Sequence, residues 1–88
     1  MRFTATNTVT SLYTLIKSVE PDLTKLSWSM YIQNTWSNDL LFDTKNTNVN
    51  TEWVVLKAWN ENVYDFSDLS KIFIQTNTWT TTINYIFV

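Results

Sequence analysis

Not one residue of this chain is glycine. At ordinary usage a chain of this length would carry about six, and the chance of none is about two in a thousand. Glycine is the residue that turns with φ > 0 use without steric cost. A chain without it must either avoid tight turns or place another residue in them. Asparagine serves at some such positions, and there are ten of them here.

The segments between the turns point to strands. Thr, Val, Ile and aromatic residues dominate from Ser27 onward. Trp28, Met30 and Ile32 alternate with Ser27, Ser29, Tyr31 and Gln33, the pattern of a half-buried strand. Further strands are predicted at 40–42, 53–57, 63–66, 71–75 and 81–88. Polar connections separate them at 34–39, 43–51 and 60–62. The first segment differs. Val9, Leu12, Ile16 and Val19 recur at helical spacing, which predicts a helix over 9–19, capped by Thr8 or Thr10 and ended by Pro21. Short strands at roughly ten-residue spacing predict one antiparallel β-sandwich over residues 1–88, jelly-roll-like or Ig-like, mainly β with one short N-terminal helix. The expected core is Leu12, Leu15, Ile16, Met30, Ile32, Leu40, Phe42, Val54, Leu56, Phe66, Leu69, Ile72, Ile74, Ile83, Tyr85 and Phe87. The strand 81–88 is uncharged and apolar on both faces, so it is expected to be central or covered by a subunit.

Five tryptophans are the second oddity. Trp36, Trp59 and Trp79 each sit in a polar, hairpin-like turn where glycine would be the natural residue. This predicts that some or all of the tryptophan codons are UGA, read as glycine in the source organism. The competing reading keeps genuine tryptophan in the turns.

Little in the sequence speaks for catalysis. There is no His and no Cys, which removes imidazole and thiolate chemistry. Asp39, Asp43, Asp65 and Asp68 lack the spacing of a calcium loop and read as turn and surface acids. The serines have no histidine base. No metal, cofactor or catalytic residue is expected. A net charge of −2, from six basic and eight acidic residues, disfavours nucleic acid as a partner. No apolar run approaches a membrane span, and the first residues lack the apolar stretch of a signal peptide. None of the ten Asn residues lies in a glycosylation sequon, which favours a bacterial or phage source over a secreted eukaryotic one.

Several segments in order, Thr8 to Ile16, Tyr31 to Asn34, Leu40 to Phe42, Asn46 to Val49, Leu56 to Trp59 before Tyr64 to Phe66, and Lys71 to Val88, resemble a recurring type of small phage virion protein. That pattern has glycine where this chain has Trp36, Trp53, Trp59 or Trp79. The resemblance implies a capsid decoration, head-fibre or connector component, located in the virion. Its expected partners are copies of itself and a capsid or connector protein, bound by strand edges and apolar contacts. Trp36, Trp59, Trp79, Tyr85 and Phe87 are the interface candidates. The competing functions are a carbohydrate-binding module using the turn tryptophans and a small phage inhibitor of a host defence protein.

Overall fold

The computed structural model describes residues 1–43 and 54–88. The loop expected at 43–51 and Trp53 therefore lie outside the described residues, apart from Asp43. The chain is mainly β, with strands β1 (Arg2–Ala5), β2 (Thr10–Ser11), β3 (Trp28–Asn34), β4 (Leu40–Asp43), β5 (Val54–Leu56), β6 (Glu61–Phe66), β7 (Phe73–Thr76) and β8 (Thr81–Phe87). One helix, α1 (Leu12–Val19), follows β2, and a single 3-10 turn, Leu69–Lys71, precedes β7. The strands form two antiparallel four-stranded sheets, ordered β1-β8-β3-β6 and β2-β7-β4-β5, an arrangement compatible with a β-sandwich.

Alternation does what it predicts in β3. Met30, Ile32 and Asn34 are buried, while Ser29, Tyr31 and Gln33 face outward. The register then propagates the inward face across the first sheet. Ile32 lies opposite Tyr85 of β8, and Ile83 of β8 lies opposite Phe3 of β1. Leu40, Phe42, Leu56 and Ile74 of the second sheet and Leu12, Ile16 and Leu69 complete one apolar cluster. Strand β8 lies between β1 and β3, so the expectation of a central strand holds.

The helix is shorter than its periodicity suggests. Thr10 and Ser11 pair with β7 instead, and Ser11 rather than Thr8 or Thr10 is the cap, its hydroxyl accepting from the Thr14 amide at 3.1 Å. Leu12 and Ile16, four residues apart, share the buried face. Lys17 in the last turn donates to the Leu23 carbonyl at 2.8 Å and ties down the chain beyond Pro21.

Three further expectations are corrected. Val54, expected in the core, is 57% exposed, because β5 is an edge strand. Residues 71–72 belong to the 3-10 turn and its cap, so β7 starts at Phe73, and β6 starts two residues early at Glu61. The turns that carry Trp36, Trp59 and Trp79 are not hairpins: β3 to β4, β5 to β6 and β7 to β8 each pass from one sheet to the other. Leu15, Phe66, Ile72 and Phe87 are half-buried at the margin of the core.

Tyr85 is 1% exposed, and its hydroxyl has no hydrogen-bond partner among the described residues. Burial, and secondarily the Glu20 charge close by, push its pKa above the ordinary phenol value of 10.0. Burial does the same to Tyr64. The fold holds these protons more tightly than the unfolded chain does. Their contribution to stability is therefore complete below the ordinary phenol pKa, and it is lost as pH rises above that value. Tyr85→Phe removes a group that titrates only at alkaline pH and is expected to reduce the alkaline loss of stability. Urea midpoints at neutral and alkaline pH measure the effect.

Candidate functional site

Two surfaces of the molecule are organised enough to act. The first is the end where the chain crosses between sheets. The β1–β2, β3–β4, β5–β6 and β7–β8 connections meet there, and Asn34 joins three of them. Its side chain is fully buried. Its amide nitrogen donates to the carbonyls of Asn38 at 2.8 Å and Leu56 at 3.2 Å. Its carbonyl oxygen accepts from the Thr81 hydroxyl at 2.7 Å and the Trp36 amide at 3.2 Å. A second layer lies outside it. Asn38 donates to the Thr80 carbonyl at 2.7 Å, and Asp39 accepts from the Ala58 amide at 2.9 Å beside Lys57 at 3.6 Å. Short polar side chains thus tie the connections at this end to one another.

The three turn tryptophans crown this end. Trp36 and Trp59 are 52% and 66% exposed, with ring centroids 6.5 Å apart. Trp79, in the β7–β8 connection, is 82% exposed. The other two interface candidates are placed elsewhere. Tyr85 is a core residue, because the inward face of β8 carries Ile83 and Tyr85. Phe87 stacks on Trp28 at 4.1 Å, half-buried. Trp28 itself is fixed in place: its indole nitrogen donates to the Lys25 carbonyl at 2.7 Å, and the Lys25 ammonium lies 4.3 Å from its ring.

The second surface is the outward face of the first sheet. One row crosses all four strands in register: Arg2, Asn84, Gln33 and Glu61. The side chains form a continuous hydrogen-bonded ladder. Arg2 Nε donates to Asn84 at 3.3 Å, Asn84 donates to Gln33 at 3.4 Å, and Gln33 donates to Glu61 at 3.4 Å. The Tyr31 hydroxyl also donates to Glu61, which raises the Tyr31 pKa. The adjacent row is apolar, with Ile86, Tyr31 and Val63 side by side across three strands. Ile86 and Val63 are both more than half exposed. A shallow groove over β1, β8 and β3, lined by Arg2, Tyr31, Gln33 and Ile86 together with Val19 and Tyr85, opens beside part of the two rows.

The acids read as turn and surface residues have local work. Asp39 holds the Ala58 amide, Asp65 accepts from the Ser29 hydroxyl at 2.5 Å, and Asp68 caps the 3-10 turn through the Ser70 amide at 2.9 Å. The Ser70 hydroxyl bond holds the Asp68 pKa below its usual value. Among the described residues, no three of His, Cys, Asp and Glu gather as a metal site. Sequence reasoning misses Asn34 and the outward row. Asn34 looks like the start of a surface turn, and the row appears only through the register. Comparison with protein-family models, curated proteins and solved structures returned no match to this chain.

Proposed function

We propose that this protein is a structural component of a phage virion, a capsid decoration, head-fibre or connector piece built on a jelly roll. The strand order carries the reading. Among the described strands, every successive connection but β4 to β5 changes sheets. The orders β1-β8-β3-β6 and β2-β7-β4-β5 support a reading as two Greek keys wound into a jelly roll, an architecture found in viral capsid and lectin domains. An Ig-type sandwich would instead pair several successive strands within one sheet. Fold alone does not dictate function. The phage-protein resemblance supplies the preference for the virion over the lectin. Quantifying the chain's peptides in density-purified particles from the source tests this. A constant ratio to the major capsid protein is expected, and absence from the particles overturns the reading.

Assembly with copies of itself would use the outward face of the first sheet rather than its edges. The edge strands β1, β2 and β5 are short, and β6 carries outward Glu61 and Asp65, features that discourage edge pairing. The outward row is self-complementary. A two-fold axis parallel to the strands, between β8 and β3, would set Arg2 of one copy over Glu61 of the other. The same axis would set Ile86 over Tyr31, and each contact would occur twice. Sedimentation velocity at two concentrations should show mass moving from one towards two copies. Arg2→Glu or Glu61→Arg alone should abolish the shift, and the two together should restore it. A concentration-independent monomer sinks this geometry.

The exposed Trp36–Trp59 pair favours a second reading, a platform stacking on the apolar face of a sugar. Quenching of tryptophan fluorescence by a glycan panel would support it.

A further inference from the structure

Among the described residues, only two have positive φ, and both are tryptophan: Trp59 at 66° and Trp79 at 55°. In the left-handed region a Cβ crowds the following carbonyl oxygen, and a bulky residue there is a true outlier. The Trp59 turn is specific about what it needs. The Asn60 amide bonds back to the Lys57 carbonyl at 3.1 Å, which makes Lys57 to Asn60 a four-residue turn with Trp59 at its third position. Ala58 does not have positive φ. Positive φ at the third position alone is the mark of a type II turn, the turn that takes glycine at that place. In the β7–β8 connection, the Trp79 carbonyl accepts from the Thr76 hydroxyl at 2.5 Å, which holds the backbone in its bend.

Neither indole repays that strain by burial. Trp79 and Trp59 are among the most exposed large apolar residues described. Trp28 is the contrast: stacked, hydrogen-bonded and part of a β3 strand that runs without positive φ. Trp36 has ordinary φ as well. The chain thus has no glycine anywhere, yet two places where the backbone takes a glycine conformation, and tryptophan stands at both.

We infer that the natural protein carries glycine at positions 59 and 79, encoded by UGA codons that the source organism reads as glycine, while Trp28 is genuine. The ligand chemistry of the loop end changes with it. Loss of Trp59 removes half of the Trp36–Trp59 pair, so the sugar platform does not exist in the natural protein. The inference rests on backbone geometry and not on the virion reading, although the phage-protein pattern also has glycine at positions 59 and 79.

Tryptic peptides from the source organism decide it. Cleavage after Lys57 and Lys71 puts position 59 in the peptide 58–71 and position 79 in the peptide that begins at Ile72. Each is expected to be about 129 Da lighter than its tryptophan form, the difference between an indolylmethyl side chain and the bare hydrogen of glycine. The peptide 26–45 should still show tryptophan at position 28. Tryptophan mass at either position 59 or 79 overturns the assignment. A recombinant series provides a second readout. Trp59→Gly/Trp79→Gly should melt higher than the tryptophan chain by roughly 5 to 15 °C. Trp59→Ala/Trp79→Ala should show little of that gain, because alanine keeps the Cβ. Trp28→Gly should melt lower. A double glycine variant that melts no higher than the double alanine variant also overturns it.

Discussion

Asn34→Ala is expected to lower the unfolding free energy by about 3 kcal/mol, the largest loss from any single polar residue described. The substitution removes four hydrogen bonds at once. More important is what it leaves behind. The Leu56 carbonyl and the Thr81 hydroxyl lose a partner in the interior, and each unmatched buried group costs about 1 to 3 kcal/mol. A chain of this size is stable by only roughly 4 to 13 kcal/mol in all, so the loss is a large share of the total. Asn34→Asp keeps the shape but gives up both amide donors, so it should do no better. Thr81→Ala should cost less than Asn34→Ala, and the two changes together should cost less than their sum, because they share one bond. Urea denaturation of the four variants measures this. If Asn34→Ala shifted the midpoint no more than a surface substitution, the loop end would not be held in the way described.

Ile83→Ala is the second large loss, about 2 to 5 kcal/mol. Ile83 is fully buried in the central strand, opposite Phe3 on one side and Asn34 on the other. Truncation leaves a cavity that neither neighbouring strand can close without breaking its pairing with β8. Val54→Ala removes comparable apolar bulk from the exposed edge strand β5 and should change stability by less than about 0.5 kcal/mol. The pair is a sharp comparison, since the sequence pattern points to the core for both residues. Equal losses would mean that the burial of β5 differs from that described.

These two residues show where the sequence is legible. Ile83 lies in a long strand and shares a face with Tyr85 and Phe87 at a period of two, which places it with them even though Ile86 and Val88 make the opposite face apolar as well. Val54 lies in a three-residue strand beside Val55, and two adjacent valines carry no alternation to read. Strand β1 escapes the pattern for a related reason. Its inward residues are Phe3 and Ala5, and the full burial of an alanine leaves no trace in a hydrophobic pattern. The loop end is half legible. The turns and their tryptophans stand out, but Asn34 is the polar hub of a buried cluster, and polarity in a turn region reads as exposure. The outward row of Arg2, Asn84, Gln33 and Glu61 spans most of the chain, so it exists only through strand order. Pairing that brings residue 2 beside residue 84 is invisible to any local pattern.

The position of β8 also bears on how the protein is made. Among the described strands it comes latest in sequence, yet it lies inside the first sheet, between β1 and β3. Strand β1 has no lateral partner in that sheet until β8 arrives, whereas β3 and β6 can pair earlier. During synthesis the chain must therefore wait with Phe3, Met30 and Ile32 uncovered and two strand edges open, until residues 81–87 are free to slot between them. Pairings this distant in sequence close slowly, and open apolar edges are where chains adhere to one another. A chain cut short within β8 would have a gap at the middle of its sheet, poised to accept β8 from a neighbour.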